Sequence, residues 1–352
     1  MKLDSEEFMK KVVLNKIGID IDEEYKWKDR IFLDEYISSS DENLFKKCSY
    51  FIKIKYIKDI NYEKARKIDE NIYCCEEFAY DKEMNTKIYF EKENICVIET
   101  SQECNEWLVI LLQVMLLKAG YSFIHAAAVC KDEKAILLPS WGGVGKTASV
   151  SRLIKNDYKL LGDDLNIVSS EGKIIGFPKD FVLYFYHKDL FPEIFKDNKI
   201  LCGNKLNNFY TAIIPTVKKV LRKVPFLLSF MRKHNPQSKR ISPFKIFGKD
   251  KIAKEAQLDR AIWLDRSKSE VLFENISDIP QKATAVTINE IFNNKLNMIF
   301  IMCGFKILDY NEIFVKWYNI YTDAFSKVKQ EKLDVPKDED VKRVAEELLK
   351  VL

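Results

Sequence analysis

Apolar and polar positions change rhythm several times along the chain. Between about 45 and 100 the period is two. Tyr50-Phe51-Ile52-Lys53-Ile54-Lys55-Tyr56-Ile57 alternates in part, and Lys87-Ile88-Tyr89-Phe90 and Ile95-Cys96-Val97-Ile98 are short β-rich runs. The polar Glu91-Lys92-Glu93-Asn94 between the last two predicts a turn. A continuous apolar run from Trp107 to Leu117, broken only by Gln113, predicts a buried helix over about Asn105 to Lys118, stopped at Gly120. Two strands are then expected, Phe123 to Val129 and Lys134 to Leu138, with Lys131-Asp132-Glu133 as the turn between them. A glycine-rich loop, a helix over about Lys146 to Lys155 and a buried strand from Tyr158 to Val168 follow. This order of strand, loop, helix and strand is an α/β layout. The stretch Pro336 to Leu352 has acids first and apolar residues at helical spacing, which predicts a surface amphipathic helix.

The glycine loop carries the clearest chemistry. Ser140-Trp141-Gly142-Gly143-Val144-Gly145-Lys146-Thr147 fits G-x-x-x-x-G-K-[ST] at every fixed place but the first, where Ser140 replaces Gly. Glycines let successive N–H groups turn toward phosphate oxygens, and the following helix adds its positive end. Lys146 brings a mobile positive charge to the outer phosphates, and the Thr147 hydroxyl suits Mg²⁺. Ser140 stands where backbone geometry often demands glycine.

Two further features stand near it in sequence. Asp163 and Asp164 interrupt the apolar run Leu160 to Val168, the first of them 17 residues beyond Lys146. Adjacent strand residues face opposite sides, so one carboxylate is free to hold Mg²⁺ while the other accepts a proton; a solvated strand end is the plain alternative. His125 lies in Phe123-Ile124-His125-Ala126-Ala127-Ala128-Val129. It reads either as a hydrogen-bonded core histidine or as a group beside the transferred phosphate, one strand before the loop.

Composition narrows the class. With 352 residues, 47% hydrophobic and 31% charged, the chain is long enough for a sizeable core and for two domains of ordinary size or one with large insertions. A net charge of +4 is small for a nucleic-acid-binding protein, so no nucleic-acid partner is expected. The basic residues are uneven, however. Residues 212–249 contain ten Lys and Arg and no acid, interleaved with Leu221, Phe226, Leu227, Leu228, Phe230 and Met231. This stretch reads as a basic helical insertion at about 187–250, serving as a substrate dock, a lid or simply a solvated hairpin. The eight cysteines match no zinc spacing and read as thiols of a reducing compartment. Acids in Met1 to Glu7 argue against a signal peptide, and no apolar run reaches the roughly 20 residues that span a bilayer. A cytoplasmic location and no membrane span are expected.

Together His125, Gly143-Val144-Gly145-Lys146-Thr147 and Asp163-Asp164 resemble the core of the HPr serine kinase/phosphorylase family, a branch of the phosphoenolpyruvate-carboxykinase-like P-loop fold. The resemblance covers about 120–185. It departs from the family at Gly142, where the family has Ser, at Ser140, and in lacking the downstream Asn-x-Arg-x-Lys type segment. It implies an α/β P-loop kinase core over 119–335, joined to a β-rich N-terminal α+β region over 1–118 and a C-terminal helix over 336–352. It also implies ATP or another phosphate donor with Mg²⁺, and transfer to a hydroxyl, either of a peptide or small protein or of a small molecule. Divergent relatives resemble kinases of peptide natural-product precursors. A nucleotide-binding regulatory protein without transfer is the reading from another class, and a homo-oligomer is the expected assembly.

Position by position, the resemblance implies that Ser140 to Thr147 cradle the nucleotide and Lys146 holds its outer phosphates. Thr147 and Asp164 bind Mg²⁺, Asp163 is the base, and His125 assists at the phosphate or tunes Asp163. The arginine expected at the transferring phosphoryl is sought among Arg240, Arg260 and Arg266, with Arg240 preferred for its place beside Ser242-Pro243.

Overall fold

The computed structural model describes residues 9–25, 42–177, 179–184, 187–196 and 238–352. The chain divides into two compact units, Met1–Lys179 with Ala253–Leu352, and Asp180–Ile252. It is a mixed α/β protein.

The first unit contains two large sheets. The first sheet has eight strands: β1 (Met9–Val13), β2 (Ile17–Ile21), β3 (Tyr50–Tyr56), β4 (Arg66–Lys67), β5 (Ile72–Cys74), β6 (Phe78–Asp81), β7 (Thr86–Lys92) and β8 (Ile95–Thr100), in the order β1-β2-β3-β8-β7-β6-β5-β4. β3 pairs in parallel with both β2 and β8, and a short helix α1 (Glu42–Lys46) lies on the crossover into it. The period-two pattern decides what each side of β3 does. Ile52 and Ile54 are buried, while Lys53 and Lys55 face out and bind Glu91 at 2.7 and 3.2 Å.

Helix α2 (Asn105–Lys118) packs on β3 and β8 of this sheet and on the first strand of the next. That explains why it is apolar on all sides. Its one polar break is used: Gln113 donates to Ser122 Oγ at 3.0 Å and accepts from the Phe123 N–H at 2.8 Å. Gly120 takes the left-handed conformation (φ +84°) that ends the helix.

The second sheet has nine strands. They are β9 (Tyr121–Ile124), β10 (Ala126–Lys131), β11 (Lys134–Pro139), β12 (Lys159–Gly162), β13 (Asn166–Ser169), β14 (Lys173–Gly176) and, after the β15–β16 pair of the second unit (Phe181–Tyr184 and Ser238–Ile241), β17 (Glu255–Asp265), β18 (Leu272–Asn275) and β19 (Lys329–Asp334). The order is β12-β10-β11-β17-β14-β13-β9, with β19 and then β18 added along β17. The eleven-residue β17 makes this branch possible. Its first half pairs with β14, its last half runs parallel to β19, and β11 lies parallel along its middle.

Helix α3 (Lys146–Ile154) packs on β10 and β12. After α4 (Pro192–Lys196) and α5 (Pro243–Phe247) of the second unit come α6 (Ile279–Phe292), α7 (Leu296–Gly304), α8 (Lys316–Phe325) and α9 (Val341–Val351). α6 and α8 pack on each other and on β9, while α9 packs on α3 and β19. In the second unit β15 and β16 form an antiparallel pair, and the Phe247 ring meets those of Phe181 and Phe191.

Three elements differ from expectation. The single strand predicted over Phe123 to Val129 is two strands, because β9 pairs with β13 whereas β10 pairs with β11 and β12. His125 is the residue at the break. The strand predicted over Tyr158 to Val168 is likewise two, and Asp163-Asp164 form the bend between them rather than alternating along a strand. A Cβ on Gly162 would meet Asn166 Oδ1 at 2.7 Å, so the bend folds back on itself where only glycine fits. The C-terminal helix begins at Val341, capped by Asp340, whose carboxylate accepts from the Lys342 N–H at 2.8 Å. Most of the basic stretch, up to residue 237, lies outside the described residues. No helix among the described residues is long and apolar enough to cross a membrane.

Candidate functional site

The site is built where β11 ends and α3 begins. Gly143 (φ +78°) and Gly145 (φ +122°) hold backbone angles that side chains rarely adopt. Cβ atoms built on Gly142 or Gly143 would have nothing within 4 Å, so this part of the loop faces open space. Gly145 is different: a Cβ there would stand 3.2 Å from the Val341 carbonyl and 3.4 Å from Val344 Cβ, so the start of α9 backs the loop. Ser140 is buried and has no positive φ, so its replacement of glycine costs no backbone strain. Trp141 is 48% exposed beside it.

Lys146 is buried and turned back along the loop. Its ammonium donates to the carbonyls of Ser140 and Trp141 at 3.0 and 3.1 Å and to Ser140 Oγ at 3.3 Å, and it lies 3.0 Å from His125 Nε2. Burial pushes its pKa down, against the pull of Asp164, Asp163 and Glu290, the last on α6. His125 is also buried, and burial together with the Lys146 charge lowers it to about 4. A neutral imidazole beside an ammonium must accept at Nε2, which leaves its proton on Nδ1. That nitrogen stands 3.5 Å from Asp164 Oδ1. The histidine thus links the loop lysine to the carboxylate pair.

The two carboxylates have different surroundings. Asp163 accepts from the Thr147 hydroxyl at 2.8 Å through Oδ2, while its Oδ1 is buried with no partner. Burial and the neighbouring Asp164 raise it to about 7. Asp164 is 43% exposed, and Lys179 Nζ lies 2.8 Å from its Oδ2. Its burial acts upward, but Lys179, His125 and Lys146 outweigh it and hold the group at about 2. One carboxyl is therefore poised near neutrality and the other is ionised, side by side.

Several residues that hold this arrangement carry no sequence signal. Asn166 Nδ2 donates to the Ala126 carbonyl at 2.9 Å and ties the bend to β10. The His125 N–H donates to Thr287 Oγ1 on α6 at 2.9 Å, and Tyr321 of α8 donates to the Phe123 carbonyl, with Thr287 Oγ1 3.2 Å away. Lys179 is likewise found only in the folded chain.

Two of the three arginines serve α9. Arg266 donates through Nη2 to the carbonyls of Pro336, Lys337 and Glu339, clamping the segment that leads into α9. Arg260 pairs with Glu331 and donates to the Val351 carbonyl at 2.9 Å, holding the other end of the same helix. Arg240 is exposed on β16 of the second unit, opposite Val182, and is not among the residues the first unit gathers. His125, Ser140, Trp141, Lys146, Thr147, Asp163 and Asp164 are gathered there.

The donor set fits phosphate oxygens and Mg²⁺. The open glycine segment and Lys146 suit phosphate oxygens, and Thr147 Oγ1 with Asp163 Oδ2 offers two hard oxygens to Mg²⁺. Among the described residues no group of three or more His, Cys, Asp or Glu side chains gathers for a metal, at this site or elsewhere. No protein-family model matches the chain, and no curated protein matches it.

Proposed function

We propose that the chain is a nucleotide- and Mg²⁺-dependent kinase with a P-loop core of the HPr-kinase type, transferring a phosphoryl group to a hydroxyl of a peptide or small protein. The observation that carries this reading is the meeting of Lys146, Thr147, Asp163, Asp164 and His125 at one glycine loop. Phosphoryl transfer asks the protein mainly for positioning and charge, and these residues supply both.

Geometry favours one exchange of roles. Thr147 bonds to Asp163, so these two form the better pair for Mg²⁺, which would neutralise charge on the phosphates. Asp164, ionised, partly exposed and facing His125, is the better group to orient the acceptor. In the step itself the bond from the γ-phosphorus to its bridging oxygen breaks with its electron pair leaving on the diphosphate. A new P–O bond forms to the acceptor oxygen, whose proton, made strongly acidic as that bond completes, then passes to Asp164. Lys146 leaves the Ser140 and Trp141 carbonyls for phosphate oxygens, while His125 keeps Asp164 oriented through Nδ1.

The test is calorimetry of the full chain with Mg·ATP, followed by transfer of labelled γ-phosphate to a hydroxyl-bearing peptide library. Binding lost in Lys146→Ala and transfer lost in Asp164→Asn, with binding kept, is the expected pattern. Absence of heat and of label in the natural chain would sink the proposal; transfer kept in Asp164→Asn and lost in Asp163→Asn would restore Asp163 as the base.

A further inference from the structure

A phosphoryl group in transfer spreads negative charge over its outer oxygens, and Lys146 is placed for the donor side of the phosphates. A second cation is needed on the acceptor side. Arg260 and Arg266 are committed to the two ends of α9, through Glu331 and four backbone carbonyls between them. The first unit offers another group. Lys179 follows β14, held by its own N–H donating to the Phe177 carbonyl at 2.8 Å, and its ammonium contacts Asp164 at 2.8 Å. Its side chain is 35% exposed. Its charge acts most strongly on Asp164 and more weakly on Asp163 and His125.

We propose that Lys179 is a catalytic residue of this site: its ammonium exchanges one oxygen of Asp164 for an oxygen of the transferring phosphoryl group. The inference rests on the kinase reading above. The exchange is a change of hydrogen-bond partner and breaks no covalent bond. It also frees Asp164 for the acceptor hydroxyl at the moment that hydroxyl must lose its proton. A lysine suits this task, because a point charge on a flexible stem changes partners more easily than a bidentate guanidinium.

The test compares affinities of the full chain for Mg·ADP and for Mg·ADP with aluminium fluoride, which imitates the planar phosphoryl in flight. The natural chain is expected to bind the fluoride complex about 100-fold more tightly than Mg·ADP. Lys179→Gln should reduce that ratio about 10- to 100-fold with Mg·ADP affinity within about threefold, and Lys179→Arg should recover much of it. Lys179→Met serves as a second neutral variant should the glutamine protein melt early. A lysine that only neutralised Asp164 would leave the ratio unchanged in both neutral variants, and that result overturns the inference alone. Failure of the natural chain to bind Mg·ADP at all overturns the inference together with the kinase reading.

Discussion

Two buried clusters of charge in the first unit look alike in composition and differ in how they are finished. At the junction of the first sheet with α6 and α7, Asp81 is enclosed: Lys295 lies 2.7 Å from its Oδ2, the Trp107 indole donates to the same oxygen at 2.9 Å, and the Met84 N–H donates to Oδ1 at 3.2 Å. At the glycine loop two aspartates stand side by side, two lysines approach them, and Asp163 Oδ1 is left with no partner. Buried polar groups are almost always satisfied, so a cluster that closes on itself reads as architecture and one that keeps unused bonding capacity reads as a site.

Removing one partner from each cluster sharpens the contrast most. Lys295→Met leaves the Asp81 carboxylate buried without its cation, and about 3–5 kcal/mol of stability should go with it. Chemical denaturation would read this as a lower midpoint, while Mg·ATP affinity measured on the folded fraction stays unchanged. Lys146→Met should do the reverse. Transfer falls by about 100- to 1000-fold, because a charge aimed at the phosphate is lost, yet the melting temperature holds or rises since a buried ammonium has been removed. A Lys146→Met protein that unfolds as readily as Lys295→Met would erase the distinction between the clusters.

The asymmetry between them also explains what the sequence reveals. The loop is legible because phosphate binding fixes residue types at fixed spacing over Ser140 to Thr147, with no help from distant parts of the chain. Helix α2 is legible too, since packing between two sheets makes it apolar on every side. The break at His125 is hidden, because it arises when β9 finds β13 and β10 finds β11, and the apolar letters on either side are the same. The Asp163-Asp164 bend had a local sign, Gly162 with Asn166 four residues on, that a strand reading of the apolar neighbours obscures. Lys179, Thr287 and Tyr321 reach the site only through tertiary contact, so nothing in their own neighbourhoods marks them. Arg260 and Arg266 show the converse: residue type nominated them beside Arg240, while their hydrogen bonds run to the two ends of α9.

A third prediction concerns the poised carboxyl. Asp163 is raised from 3.8 to about 7 by burial and by Asp164, so the folded chain binds its proton more tightly than the unfolded one. The stability this confers is fully present below about pH 4 and is lost as pH rises through 7. His125, lowered from 6.5 to about 4, acts with the opposite sign: its contribution is complete above pH 6.5 and disappears as pH falls toward 4. The two slopes oppose each other in the natural chain. Asp163→Asn removes only the first, so the variant should gain relative to the natural protein as pH rises from 4 to 8, by about 4 kcal/mol. Melting curves across that range give the difference directly, and a difference that stays flat with pH would mean Asp163 is ionised throughout.

The smallest expected effect tests how the site is held rather than what it does. His125 sits between two strands that pair with different partners, so its N–H cannot join either ladder, and Thr287 Oγ1 accepts it instead. Thr287→Val keeps the shape of the side chain and removes that acceptor. A buried N–H left unpaired costs roughly 1–3 kcal/mol, and since Tyr321 still reaches the Phe123 carbonyl the lower end, about 1 kcal/mol, is expected here. Thr287→Ser restores the oxygen and should restore the stability, which separates the hydrogen bond from packing. The site should respond more than the fold does, because a shift of His125 moves Nε2 away from Lys146 and Nδ1 away from Asp164 together. A severalfold loss of transfer in the valine variant, recovered by serine, is therefore expected. The equivalent exchange at the closed cluster, Trp107→Phe, takes away one of three bonds to Asp81 and should lower stability without any change in transfer. If Thr287→Val instead lowered stability and left transfer intact, the link from α6 through His125 to the carboxylates would be architectural, and the two clusters would differ less than their geometry implies.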